Sequence, residues 1–196
     1  MIRLNVGSGG KSEDPNYIGV DAFVEADVQA LMWDLPYKDA SVDEILSVHS
    51  LEHISKYDVI PTLREWKRVL KVGGKLDIVT PDLEWSLLWW LYHQSVGWEL
   101  DIIFGNQEHE GQFHKTGFTI DIMRLYLDVV GGLIIVGIDL LGDDLAVTAT
   151  CPPQVAQRVL DFKILRVPDE EKPPGEPQAS PYDTRLLVPI KASVYE

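Results

Sequence analysis

Five consecutive positions, His49-Ser-Leu-Glu52-His53, put two imidazoles and a carboxylate on one short stretch, and His109 and His114 follow well downstream. An imidazole near neutrality can take a proton from an incoming nucleophile, or, uncharged and beside a carboxylate, ligate a transition metal. A second set lies nearer the N-terminus: Gly7-Ser8-Gly9-Gly10, then Asp21, then Asp34-Leu35-Pro36. Glycines let backbone approach a ligand closely. A carboxylate at Asp21 can accept both hydroxyls of a ribose, while Asp34 and Leu35 suit the amino group and ring of an adenine. Taken singly, the glycines read as a tight turn and Asp21 as a solvated strand end. In this order and spacing they read as the parts of an adenosine-binding crevice.

Such groups need elements to hold them. Ile2–Val6 reads as a buried strand ended by the glycine turn, and Tyr17–Val20 as a second strand ended by Asp21. A short third strand falls around Asp27–Met32, and a fourth spans Glu44–Val48. An amphipathic helix follows from near Lys56 to Leu70, with Ile60, Leu63, Trp66 and Leu70 on one face and Gly73-Gly74 as its C-cap. Lys75–Thr80 is a fifth strand, and Pro81-Asp82 opens a Trp- and Leu-rich helix to about Ser95. Residues 97–118 read as a long loop, which in a compact domain is usually functional. Thr119 caps a helix to Val130, stopped by Gly131-Gly132. Leu133–Leu140 and Leu145–Cys151 flank Gly142-Asp143-Asp144 as a β-hairpin. Strand–helix alternation predicts an α/β fold: a mainly parallel seven-stranded Rossmann-like sheet, helices on both faces, and a C-terminal antiparallel hairpin. In an open parallel sheet, ligands bind beyond the carboxyl ends of the strands, where both sets of residues fall.

The 196 residues carry 31 acidic and 17 basic side chains, a net charge of −14. That balance argues against a nucleic-acid partner, which is held by clustered Lys and Arg. The single cysteine, Cys151, excludes an internal disulfide and a cysteine-based zinc cluster. No run approaches the roughly 20 apolar residues of a spanning helix, and the first residues run straight into a strand pattern, so no membrane association and a cytoplasmic location are expected. Eight of the twelve prolines lie from Pro152 onward, whereas all but one of the fifteen glycines lie at or before Gly142. A domain over 1–151 and a proline-rich extension over 152–196 follow, the extension ending on an apolar Leu186-Leu-Val-Pro-Ile that can return to the body or meet a partner.

Leu4-Asn-Val-Gly-Ser-Gly-Gly, Gly19-Val-Asp21, Trp33-Asp-Leu-Pro-Tyr, Ser41-Val-Asp-Glu-Ile, Leu51-Glu-His and Val69-Leu-Lys-Val-Gly-Gly-Lys-Leu resemble the successive motifs of class I S-adenosylmethionine-dependent methyltransferases, closest to the methyltransferase type 11 group. The likeness is strong over about residues 2–82 and looser beyond. It implies S-adenosylmethionine as cofactor, held at Asn5, Gly7, Ser8, Gly9, Asp21, Ala22, Asp34, Leu35, His49 and Ser50. It implies transfer to an oxygen or nitrogen of a small-molecule or glycan-type acceptor, with His114, His49 and His53 as the catalytic candidates and a homo-oligomer admissible. The bland reading of His53 is a structural hydrogen bond behind strand four, and that of His114 an exposed loop histidine. The turn departs from the family in having Gly9-Gly10 where a third spaced glycine is usual. The short link from Gly7 to Tyr17 leaves the first crossover helix very short or degenerate.

Four other readings compete. Ubiquinone-biosynthesis and small-RNA 2′-O-methyltransferases carry Glu-x-x-Glu-His at this place and bind a divalent metal, so His49, Glu52 and His53 form an alternative metal set, with His109 or His114 as a fourth ligand. No metal is the primary expectation. The pattern His-x-x-Glu-His also matches inverted zinc peptidases, but here it starts at a strand end. A nicotinamide dehydrogenase would need the absent Gly-x-Gly-x-x-Gly. A catalytically silent binding or assembly module with this fold is the non-enzymatic alternative, for which the tryptophans at 85, 89, 90 and 98 would supply a surface.

Overall fold

The computed structural model describes residues 1–93, 98–108 and 110–152. The expected extension from 153 onward, its apolar end and His109 lie outside these residues. Seven strands form one sheet in the order β3-β2-β1-β4-β5-β7-β6, with β1 (Arg3–Val6), β2 (Ile18–Asp21), β3 (Val28–Gln29), β4 (Val42–Val48), β5 (Leu70–Pro81), β6 (Ile134–Leu141) and β7 (Asp144–Thr150). The first five pair in parallel, and β7 runs antiparallel to both β5 and β6. This is the mainly parallel sheet with a closing hairpin that the strand–helix alternation predicts.

Strand alternation decides where the core lies. Leu4, Ile45, Leu76 and Ala149 stand in register across the sheet, as do Ile78 and Val147, and all are buried. Onto this face pack α1 (Lys56–Val69) and α4 (Ile120–Val130). Ser55 caps α1 by accepting from the Tyr57 N–H at 3.3 Å, and Val59, Leu63, Trp66 and Val69 form its buried stripe. Thr119 caps α4 in the same way through the Ile122 N–H, and Met123 and Leu127 enter the core.

The opposite face is polar. Arg3 pairs with Glu44 at 3.1 Å, Tyr17 donates to Glu44 at 2.7 Å, Lys75 pairs with Asp77 at 2.6 Å, and Thr148 donates to Asp77 at 2.7 Å. Burial, then the bond to Glu44, push the Tyr17 phenol up to about 12. The crossover between β1 and β2 consists of turns and bends alone and lays no helix on this face. Its link is too short for a covering helix.

Two further elements differ from expectation. Gly73-Gly74 does not cap α1: the chain turns extended at Leu70, and β5 starts at once. The glycines sit where β5 bulges between the pairings of Leu70 and Lys75, exchanging hydrogen bonds with Cys151. The stretch read as a loop over 97–118 contains a helix, α3 (Trp98–Phe104), and a 3-10 turn at Glu110–Gln112. It follows α2 (Leu83–His93), whose start is capped by the Asp82 carboxylate through the Glu84 and Trp85 N–H groups. No described helix is long and apolar enough to cross a membrane.

Candidate active site

The carboxyl ends of β1, β2 and β4 gather the first set of residues. After Val6 the chain reverses at Gly7 (φ +74°), whose N–H donates to the Val20 carbonyl at 2.8 Å. A Cβ at this position would overlap Ser50 Cβ, lie 2.7 Å from its Oγ and come 3.6 Å from the end of Met32. Gly7 therefore lets the ends of β1 and β4 and the third crossing meet. The Asp21 carboxylate receives Gly9 N–H at 3.0 Å on one oxygen and the Phe23 and Val24 N–H groups at 2.8 and 3.3 Å on the other. Gly9 itself is exposed at φ +65°, with open space where a side chain would stand.

The remaining predicted contacts divide. Asn5 and Ser8 line a cleft of about 370 Å³ with Gly9, Tyr17 and Leu46, and Ser8 donates to the Gly10 carbonyl. Ala22 is half-buried beside Asp21, and Asp34 is exposed. Ser50 is buried, sharing a hydrogen bond with Ser47 at 2.5 Å and donating to the Val6 carbonyl at 3.1 Å. Leu35 is 3% exposed and belongs to the core. Both brace the rim from behind, with no open surface of their own. The bracing at Leu35 involves residues that the sequence did not single out. Its N–H donates to Glu65 at 2.8 Å, and Arg68 donates to Glu65, to Asp39 and to the carbonyls of Leu35 and Tyr37. Arg68 holds the Glu65 carboxyl below its ordinary range. Trp66 completes the clamp by donating to the Met32 carbonyl at 2.9 Å.

Beyond the end of β4 the histidines meet in a second cleft of about 380 Å³, lined among others by Glu52, Trp98, Ile102 and Asp144. His49 adopts a left-handed conformation, φ +47°, uncommon for a non-glycine residue. Its Nδ1 lies 3.4 Å from Glu52 and its Nε2 3.4 Å from Asp144. Hydrogen bonding to Glu52, against the cost of burial, raises its pKa, while burial raises that of Asp144. His53 and His114 stand edge to face, ring centroids 4.9 Å apart. Burial lowers the pKa of His114. Asp144 belongs to the hairpin that the sequence showed only as a turn, and nothing in its spacing marks it as a neighbour of His49.

This rim, beside a histidine-lined cleft, lies at the carboxyl ends of parallel strands, where open α/β folds bind their ligands. Residues 10–78 match the family model described as a methyltransferase domain. Solved structures with the same fold include a SAM-dependent methyltransferase from Thermotoga maritima (18% identical, 76% of this chain and 82% of that one, TM-score 0.52). Another is a SAM-dependent methyltransferase from Methanosarcina mazei (15%, 76% and 92%, TM-score 0.53). A third is the 1,6-didemethyltoxoflavin N1-methyltransferase of Burkholderia thailandensis, with bound 1,6-didemethyltoxoflavin and S-adenosylhomocysteine (14%, 78% and 71%, TM-score 0.54). No curated protein gives a significant match. The fold is that of the class I S-adenosylmethionine-dependent methyltransferases, with the methyltransferase-domain match confined to residues 10–78; S-adenosylmethionine is the cofactor of proteins of that class.

The residues present fit that cofactor. An open glycine backbone at Gly9 leaves room along the loop, and a carboxylate has about four acceptor positions. Three backbone N–H groups already point at Asp21, which leaves capacity for one ribose hydroxyl with the loop as it stands, and for two once Gly9 N–H turns away.

Proposed function

We propose that this chain transfers a methyl group from S-adenosylmethionine to an oxygen or nitrogen nucleophile of a small-molecule or glycan-type acceptor. The observation that carries the reading is the bond between Gly9 N–H and Asp21: it closes a glycine-lined rim around a carboxylate, directly before the histidine-lined cleft. The cofactor supplies a methyl already activated on a sulfonium centre.

The protein's own work is placement and proton removal. Gly7, Ser8 and Gly9 hold the amino-acid portion of the cofactor, Asp21 the ribose, and the segment Met32–Asp34 the base, kept in place by Trp66, Glu65 and Arg68. The cleft orients the acceptor at near-attack distance. A base is needed only where the nucleophile starts protonated. His114 suits that role, since its Nδ1 donates to the Ile102 carbonyl at 2.8 Å, which leaves the Nε2 lone pair for the acceptor, and burial favours the neutral ring. His53 and His49 border the same cleft and orient the acceptor from either side of Glu52.

The test is calorimetric titration of S-adenosylhomocysteine and of NAD. S-adenosylhomocysteine is expected to bind and NAD to bind far more weakly. Asp21→Ala is expected to weaken S-adenosylhomocysteine by about 1–3 kcal/mol, the cost of leaving a buried polar group unpaired. Equal affinity in that variant refutes the ribose assignment.

A further inference from the structure

Glu52, His53 and His114 come from two distant segments, yet each offers a ligand atom within 4.8 Å of the others. Backbone hydrogen bonds impose this meeting. The Lys115 and Thr116 N–H groups donate to the Glu52 carbonyl at 2.8 and 3.1 Å, and Thr116 Oγ1 donates to the Ile54 carbonyl at 2.8 Å. The two imidazoles are oriented alike. His53 Nδ1 lies 3.2 Å from the Phe113 carbonyl and His114 Nδ1 2.8 Å from that of Ile102. A carbonyl only accepts, so both protons sit on Nδ1 and both Nε2 lone pairs are left free. A backbone carbonyl behind the distal nitrogen is the arrangement that fixes metal-ligating histidines.

Glu52 supplies the independent observation. It is 1% exposed; Oε1 is approached by His49 Nδ1 at the long distance of 3.4 Å, and Oε2 receives no hydrogen bond. Buried polar groups are normally satisfied, and a buried carboxylate with one oxygen left without a donor, beside two imidazole lone pairs, offers a place for a cation. His49 does not complete the set, since both its ring nitrogens already face carboxylates, Glu52 and Asp144.

We propose that Glu52, His53 and His114 form a binding site for one divalent transition metal ion. Two imidazole nitrogens and one carboxylate oxygen suit zinc, iron or cobalt, whereas magnesium and calcium are held by oxygen. Coordination at about 2.1 Å requires the three atoms to move closer together than they stand here. The adjoining cleft gives the side chains room to turn and leaves the other coordination positions open toward the acceptor. The site stands independently of the methyl-transfer reading. Where both hold, the ion would take the His114 lone pair and acidify an acceptor hydroxyl bound to it, whose proton would pass to solvent in the cleft.

The experiment uses the full chain, freed of metal by chelator, titrated with Zn²⁺ by calorimetry and with Co²⁺ by visible absorption. One ion per chain is expected, with a d–d band typical of few-coordinate Co²⁺ and no competition from excess Mg²⁺. His114→Ala and Glu52→Gln should each weaken binding by at least about tenfold. His93→Ala, outside the cluster, should leave it unchanged. His114 is half-buried, so its variant is expected to keep its circular dichroism even where Glu52→Gln does not. Absence of stoichiometric binding overturns the proposal. So does unaltered affinity in a folded His114→Ala, or loss in His49→Ala equal to that in His114→Ala. S-adenosylhomocysteine titrated in parallel separates the two readings, because its failure to bind leaves the metal result standing.

Discussion

Replacing Gly7 by alanine tests whether the rim is closed as described. The new methyl group meets two separate obstacles. At φ +74° an L-residue is strained, at a cost of about 1–2 kcal/mol. Its Cβ also overlaps Ser50, which is buried and tied to Ser47 and Val6, so it cannot step aside freely; overpacking of this kind costs about 1–3 kcal/mol. The variant should lose about 2–5 kcal/mol in urea denaturation, a large share of a typical domain's stability. A double-mutant cycle separates the parts. In a Ser50→Gly background the overlap is gone, and Gly7→Ala should cost only the backbone portion, about 1–2 kcal/mol. S-adenosylhomocysteine affinity should fall in the single variant and recover partly in the double one. A Gly7→Ala protein as stable as the parent, or one that loses the same amount in both backgrounds, refutes the contact between the loop and the end of β4.

Glu65 makes a pH-dependent contribution of definite sign. Its carboxyl titrates below its ordinary 4.5 because Arg68, and then the Leu35 N–H, bond its charged form. The stability this adds is complete above the unfolded value and is lost as pH falls through the lower folded one. Glu65→Gln should therefore cost about 1.5–3 kcal/mol at neutral pH, and the gap between the two proteins should narrow in urea melts taken from about pH 6 to about pH 3; a gap constant with pH contradicts the assignment. For the acceptor side, His114→Ala should lower kcat far more than it weakens S-adenosylhomocysteine once an acceptor is identified. A parallel fall in both, with lower melting temperature, would assign His114 a structural role instead.

Much of the fold is legible in local pattern. Leu4 and Val6, Ile45, Leu76 and Ile78 alternate as half-buried strands do, and Ser55 and Thr119 stand where helices need caps. The meeting of Gly9 with Asp21 also follows from the ends of adjacent strands. What the sequence misplaces depends on partners that no local window contains. Gly73-Gly74 has the composition of a helix stop, yet its conformation serves a bulge facing Cys151, far along the chain. Leu35 and Ser50 have suitable types and positions for ligand contact, but their direction is set by α1 and by the Val6 carbonyl. Asp144 meets His49 only because an antiparallel strand returns beside β5 in one register, and spacing carries no trace of that. Glu65 and Arg68 look like an ordinary helical ion pair until the 34–39 segment lies across them.

The polar face of the sheet has a thermodynamic corollary. Hydration of newly exposed apolar surface dominates the heat-capacity increment of unfolding, and polar surface subtracts from it. With the ion pairs of Arg3, Glu44, Lys75 and Asp77 on this face, unfolding of the described strands exposes mainly polar groups from that side and apolar area from the other. The free-energy curve against temperature is accordingly expected to be shallower than that of a sheet with two apolar faces.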